Sequence, residues 1–214
     1  MLWNVPNILT VLRIALIPVF VGIFYLPHNL YMLGALPTHT LNMAAAAVFA
    51  VASFTDWLDG YWARKFNQAS SFGAFLDPVA DKLMVAAALI VLVEFGRVGA
   101  IVSLIIVGRE IVISALREWM ANIGKSSNVA VAMIGKIKTA AQMLAIVLLL
   151  YYDDLNLGAW GSFNTKLVGH VLIVIAAFLT LVSMAYYLKA AWPTMKDSLN
   201  KWLPKNKSAK INRP

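Results

Sequence analysis

Two stretches decide how this chain folds: LNMAAAAVFAVASFTDWLDGYWAR at Leu41–Arg64 and FGAFLDPVADKLMVAAALIVLVEF at Phe72–Phe95. Each is long enough to cross a hydrocarbon core of roughly 30 Å, which takes about 20 helical residues. Each is apolar at one end only, and the two acidic ends face each other across a short connection. Working outward, four more apolar runs lie at Ile8–Leu26, Val98–Met120, Ala132–Tyr152 and Leu167–Leu188. The chain of 214 residues is 61% hydrophobic and only 13% charged, with a mean hydropathy of +0.74. Soluble domains carry about 25% charged residues, so a water-soluble globule is excluded. Disorder is excluded by the same apolar excess. The absence of cysteine removes disulfides, thiolate metal sites and cysteine nucleophiles. The expectation is an all-α polytopic membrane protein with six transmembrane helices around a polar, cytoplasm-facing cavity. Residues 1–190 form the membrane domain in this reading and residues 191–214 a basic cytoplasmic tail. Ile8–Leu26 lacks a basic start followed by a small-residue cleavage site, so it reads as a span rather than a cleaved leader.

With both termini inside, the outward loops hold only Arg97 and Lys166 of the eighteen Lys and Arg residues. That asymmetry follows the positive-inside rule. The net charge of +8 is then mostly a cytoplasmic-face charge, suited to anionic lipid headgroups. Nucleic acid is not an expected partner, because the tail lysines have neither aromatic interleaving nor a binding fold. Depth follows from a helical rise of about 1.5 Å per residue. Counted from the outer edge of each span, Asp56 lies at about 22 Å, Asp81 at about 21 Å, Arg109 at about 18 Å and Lys138 at about 20 Å. Four helices therefore bring their first charge to one level, while their outer two-thirds stay apolar. This describes a polar cavity closed on the outside. Charges at such depth usually face a cavity and are functional candidates. Lys82, Lys125 and Lys189 read instead as interfacial side chains snorkelling into water. Trp3, Trp57, Trp62, Tyr186, Tyr187 and Trp192 read as an interfacial aromatic belt.

Four of the ten acidic residues fall within Asp56–Asp81. On a helix, Asp56, Asp59, Gly60 and Ala63 share an arc of roughly 100°. Gly73, Asp77 and Asp81 follow at i, i+4 and i+8 on the next helix, again on one face. Joined by a short inward connection, these helices are antiparallel neighbours whose acidic faces meet. Four carboxylates in a low-dielectric cavity raise one another's pKa and call for cations. Oxygen-only ligands select hard cations such as Mg²⁺, Mn²⁺ or Ca²⁺. His28, His39 and His170 lie toward the outer side and read as loop or packing residues, which argues against zinc. Two adjacent cations held by Asp56, Asp59, Asp77 and Asp81 would suit a phosphoryl transfer. The glycines and Ala63 keep the wall low for a bulky phosphate or base, or serve small-residue helix packing. Pro78 is expected to kink or restart its helix.

The pattern D-x₂-D-G-x₂-A-R-x₈-G-x₃-D-x₃-D is complete at Asp56, Asp59, Gly60, Ala63, Arg64, Gly73, Asp77 and Asp81. It resembles the signature of the CDP-alcohol phosphatidyltransferases, integral membrane enzymes that build phospholipid headgroups. The resemblance implies six transmembrane helices with the motif on the second and third, a common homodimeric state, and a bacterial inner-membrane location. It narrows the cation expectation to Mg²⁺ or Mn²⁺. The implied first substrate is CDP-diacylglycerol, bound over Asp59, Gly60, Ala63, Arg64 and Gly73, with Arg64 facing the diphosphate. Asn7, Thr10 and Arg13 are further candidates for nucleotide or phosphate contact; helix capping and snorkelling are their alternatives. Asp81 is the candidate general base, and a purely metal-ligand role is its alternative.

Further stretches extend the likeness: PNILTVLR at Pro6–Arg13, GREIVISALREW at Gly108–Trp119 and GKIKTAAQM at Gly135–Met143. They resemble the family members whose acceptor alcohol is sn-glycerol 3-phosphate. That acceptor brings its own phosphate, so a basic subsite is needed beside the cations. Arg109, Arg117, Lys136 and Lys138 supply it, arginine by bidentate contact and lysine as a point charge. Glu110 and Glu118 are expected to orient the arginines. Other acceptor alcohols (serine, inositol phosphate, a second phosphatidylglycerol) are the rivals within the family. A divalent-cation transporter is the rival outside it, and the apolar outer halves of the spans leave such a protein no exit path.

Overall fold

The computed structural model describes residues 5–32, 37–66, 71–123, 132–156 and 162–202. Six helices carry nearly all of them: α1 (Val5–Met32), α2 (Thr38–Phe66), α3 (Ser71–Glu94), α4 (Ala100–Asn122), α5 (Ala132–Tyr151) and α6 (Thr165–Trp202). Every apolar run read from the sequence is helical, with ends that differ by a few residues in most cases. The largest difference is in α6, which continues past Leu188 to Trp202 through Pro193. Apolarity stops at Leu188, but Ala, Lys and Met are good helix formers and keep the backbone helical. Pro78 does not restart α3, which is one helix on both sides of it. Two segments among the described residues are long and apolar enough to cross a membrane on their own, Asn7–Tyr25 and Thr165–Lys196.

The helices pack as a bundle in which α5 lies most extensively against α6, and α1 against α2 and α3. Additional contacts join α2 to α5, α4 to α6 and α3 to α4. One half of the bundle is a dry core of Phe20, Phe49, Leu89, Leu92, Ile146 and Leu149, all fully buried. The Phe20 and Phe49 rings meet tilted at 53°, 6.3 Å between centroids. The outer surface is apolar as well, with Ile101 at 76% exposure and Leu104, Phe178 and Leu167 similarly bare. A bundle that is apolar both inside and outside suits a lipid solvent.

The turns at the dry end are built by specific caps. Gly96 adopts φ +66° after α3. Its N–H bonds the Val93 carbonyl while the Arg97 N–H bonds Leu92, which is the paired closure of a Schellman motif. Arg97 is thereby aimed back into the bundle. It donates to the carbonyls of Leu149 and Leu150 and to Asn42 Oδ1 at 2.7 Å, and its guanidinium lies 4.5 Å from the Tyr152 ring centroid. Burial pushes its pKa below the ordinary arginine value, an effect opposed by Tyr152 and Asp153. Beyond α5, Leu155–Asn156 (β1) pairs antiparallel with Ser162–Phe163 (β2). Asn164 then caps α6 by accepting from the Leu167 N–H at 2.8 Å.

Among the described glycines Gly169 of α6 makes the closest approach to another helix, where an added Cβ would lie 2.8 Å from Cγ of the fully buried Leu149. Gly169→Ala is expected to destabilise the detergent-solubilised protein by about 1–3 kcal/mol through overpacking. Gly108→Ala, whose Cβ meets nothing within 4 Å, should leave the melting temperature unchanged or raise it slightly. Equal losses at the two positions in a thermal melt would contradict the close α5–α6 approach.

Candidate active site

The polar residues gather at the other end of the bundle, where α1, α3 and α5 begin and α2, α4 and α6 turn polar. On α3, Gly73 is buried and Asp77 and Asp81 follow it on the same face. Thr10 donates its hydroxyl to Asp77 Oδ1. Arg13, only 2% exposed, forms an ion pair with Asp81 Oδ1. Thr10 and Arg13 are three apart on α1, and their partners are four apart on α3. The two helices therefore run parallel in this register, with Asn7 buried just before Thr10.

A second cluster joins α4, α5 and α6. Glu110 Oε1 accepts from both Arg109 Nη1, at 3.0 Å, and Lys138 Nζ. Lys138 is 2% exposed and Arg109 is likewise buried. The other arm of Arg109 donates to Ser183 Oγ at 3.1 Å. Arg117 lies two turns along α4 and donates to the Tyr187 hydroxyl at 2.7 Å. Both guanidiniums flank the Tyr187 ring, at 5.9 Å for Arg109 and 4.9 Å for Arg117. A cavity of about 150 Å³ opens between the clusters, bordered by Asp81 and Lys82 of α3, Glu110 of α4, and Thr139 and Gln142 of α5.

The donor chemistry beside α3 is carboxylate oxygen, with no histidine among the described residues around it. That fits a hard, oxygen-seeking divalent cation. Asp77 and Asp81 are the described part of such a set; no group of three or more His, Asp or Glu side chains gathers among the described residues. Asp56, Asp59, Gly60, Ala63 and Arg64 lie on the helical last turns of α2, and Lys136 lies in the first turns of α5. Their side chains are outside the described residues.

The chain matches the family described as CDP-alcohol phosphatidyltransferase over residues 3–192. It belongs to that family. It is 50% identical over 196 residues to the CDP-diacylglycerol–glycerol-3-phosphate 3-phosphatidyltransferase of Pseudomonas fluorescens, which covers 90% of this chain and 92% of the relative. Identity to the protein of the same name from Yersinia enterocolitica is 47% over 196 residues, covering 91% and 98%. For Escherichia coli (strain K12) it is 45% over 199 residues, covering 92% and 100%.

In this phosphatidyltransferase, the structure brings together Asp77 with Thr10, Asp81 with Arg13, and Arg109 with Lys138 through Glu110. Arg117 joins that group at Tyr187, whose ring it shares with Arg109. Glu110 pairs with its arginine as the sequence suggests. Tyr187 corrects the sequence reading: it is not merely part of an aromatic belt but a partner of Arg117 beside Arg109. Ser183, Thr139 and Gln142 were not singled out in the sequence, because uncharged residues leave no mark in a count of charge depth. Helical spacing was the available signal for Gln142, one turn from Lys138.

Removing Glu110 strands two buried cations, and breaking a buried pair from one side costs about 3–5 kcal/mol. Glu110→Ala is expected to lower the melting temperature strongly. Adding Lys138→Met in that background should restore part of the loss, because one stranded charge disappears with it. Additive losses in this double-mutant cycle would show that Glu110 does not hold Lys138.

Proposed function

We propose that this chain transfers the phosphatidyl group of CDP-diacylglycerol to sn-glycerol 3-phosphate, giving phosphatidylglycerophosphate and CMP. The observation that carries the reading is the pairing of two unlike polar clusters across one cavity. Asp81 of α3 lines one wall, and Glu110, which holds the buried Arg109 and Lys138, lines the other. The relatives named above carry this reaction in their names and support the choice of acceptor. The bundle is read as six membrane spans in a bacterial inner membrane, with the cavity and both termini cytoplasmic. Residues 1–190 are the membrane domain, residues 191–214 a basic tail, and the assembly is a homodimer. The charge asymmetry of the loops and the apolar outer surface support this placement.

CDP-diacylglycerol enters sideways, its acyl chains remaining in lipid. Its cytidine and diphosphate lie over Asp59, Gly60, Ala63, Arg64 and Gly73, with Asn7 and Thr10 at the edge. Asp56, Asp59, Asp77 and Asp81 would hold two Mg²⁺ or Mn²⁺ ions, which when bound neutralise the diphosphate charge. Thr10 and Arg13 orient the α3 carboxylates. Arg109, Lys138, Arg117 and Lys136 take the phosphate of the acceptor alcohol, with Glu110 fixing the first two. Asp81 accepts the proton of the glycerol C1 hydroxyl as that oxygen bonds to the lipid-side phosphorus. The bond from that phosphorus to the bridging oxygen breaks, and CMP leaves with the electron pair. Positioning and charge complementarity carry most of the rate, as in other phosphoryl transfers.

Purified protein in mixed micelles should release CMP only when CDP-diacylglycerol and glycerol 3-phosphate are both present. Incorporation of labelled serine in place of glycerol 3-phosphate would overturn the acceptor assignment. Chelation by EDTA should abolish turnover, and added Mg²⁺ or Mn²⁺ should restore it. Asp81→Asn should lower kcat by about 10²- to 10⁴-fold, the range of a lost general base. Near-normal kcat in that variant would remove the base role. Arg109→Ala should act chiefly on glycerol 3-phosphate, raising its KM by about 10- to 100-fold, the scale of one lost charged hydrogen bond. A loss confined to the KM for CDP-diacylglycerol would reassign that residue.

A further inference from the structure

Gln142 lies on α5 at 3% exposure, and its carboxamide oxygen has no hydrogen-bond partner. The same side chain lines the cavity that Asp81, Glu110 and Thr139 border. A buried acceptor left without a partner is unfavourable, and such groups call for an explanation. One buried water does not fill the space beside it: a single water needs about 10–15 Å³ of probe-occupied volume, and the cavity measures about 150 Å³. The cavity therefore has room for a small polar molecule larger than water.

The chemistry of the lining selects the group that meets Gln142. Among the lining residues Lys82 is the cation and Asp81 and Glu110 are the anions, and Lys138, one turn earlier on α5, and Arg109 stand behind Glu110, which accepts from both. Gln142 lies roughly 6 Å deeper along α5 than Lys138, level with the apolar Val85 and Met143 that close the cavity. A neutral acceptor at that depth is matched by a neutral hydroxyl, not by a phosphate. Glycerol 3-phosphate carries one hydroxyl that the transfer does not use. With its phosphate at the cations and its C1 hydroxyl at Asp81, the C2 hydroxyl is the remaining polar group, and it turns toward the floor.

We propose that the Gln142 carboxamide receives the C2 hydroxyl of the acceptor alcohol and is a specificity-determining residue of this transfer. The proposal rests on glycerol 3-phosphate being the acceptor. Wild-type transfer to that compound, measured first in the same assay, tests that reading by itself. The decisive comparison uses 1,3-propanediol monophosphate, which lacks only the C2 hydroxyl. Wild-type protein should prefer glycerol 3-phosphate by about 10- to 100-fold in kcat/KM, the scale of one buried hydrogen bond left unmade. Gln142→Met, similar in size and apolar, should lose that factor on glycerol 3-phosphate and keep its activity on the deoxy compound. The preference then collapses to near unity. Gln142→Glu retains an oxygen acceptor and should keep most of the preference, so the pair remains informative if the Met variant folds poorly.

Three results would overturn the assignment. They are wild-type discrimination of less than two-fold, an equal loss on both compounds in Gln142→Met, as a packing role requires, and full retention of the preference in that variant, as a water-satisfied amide requires. Absence of any wild-type transfer to glycerol 3-phosphate would remove the acceptor reading and this assignment with it.

Discussion

A cation buried among apolar helices must be matched by an anion, because stripping water from a charge costs several kcal/mol even after the protein relaxes. Arg13, Arg109 and Lys138 are all buried here, and each is matched from another helix or from its own neighbour. Arg13 ties α1 to α3 through Asp81. Lys138 ties α5 to α4 through Glu110, and Arg109 ties α4 to α6 through Ser183. Helix register at this end is thus fixed by charge matching. At the other end it is fixed by packing around Phe20, Phe49 and Leu149. The groups proposed to bind substrate are the same groups that hold the helices in place. Their positions are set before any ligand arrives, which is the condition for electrostatic stabilisation without reorganisation.

Arg97 meets the same constraint differently. Its donors are taken up by two carbonyls of α5 and by Asn42, and its face lies on Tyr152. These partners are neutral, the Asp153 carboxylate behind Asn42 supplies the anion, and together they seal the dry end around a cation with nothing to offer a ligand. Arg109 and Lys138, by contrast, share a single oxygen of Glu110, so two positive charges are balanced by one negative charge. The excess positive charge beside the cavity is what suits the site to a phosphate. Closure and binding follow from how completely each cation is neutralised.

Much of this was legible in the sequence. Six apolar runs gave six helices, because each run is long and bounded by turn-forming or polar residues. Charge depth located Asp81, Arg109 and Lys138 at one end, because helical rise converts sequence distance directly into length. The pairing of Arg13 with Asp81 was not legible. It depends on the parallel register of α1 and α3, whose partners lie 68 residues apart in the chain. Tyr187 reads as an interfacial aromatic because only the tertiary packing brings α4 against α6. Gln142 carries no charge; its helical spacing from Lys138 places it on the same face, but the missing partner of its amide oxygen shows only in the packed structure. The helix α6 runs on past its apolar run because loss of apolarity marks the end of a span and not the end of a helix.

The burden on α5 explains why the chemistry proposed for the acceptor alcohol gathers there. Lys138, Thr139 and Gln142 sit at i, i+1 and i+4, so the phosphate-facing and hydroxyl-facing groups are held at a fixed spacing by one backbone. The far half of the same helix is clamped against α6, closely enough that Gly169 has no room for a side chain. A site on a clamped helix holds its geometry better than one on a loop. The carboxylates belong to α3, which touches α5 only lightly and reaches its own register through α1. Two separately anchored helices therefore face each other across the cavity, one carrying the acids and the other the groups proposed to read the incoming alcohol.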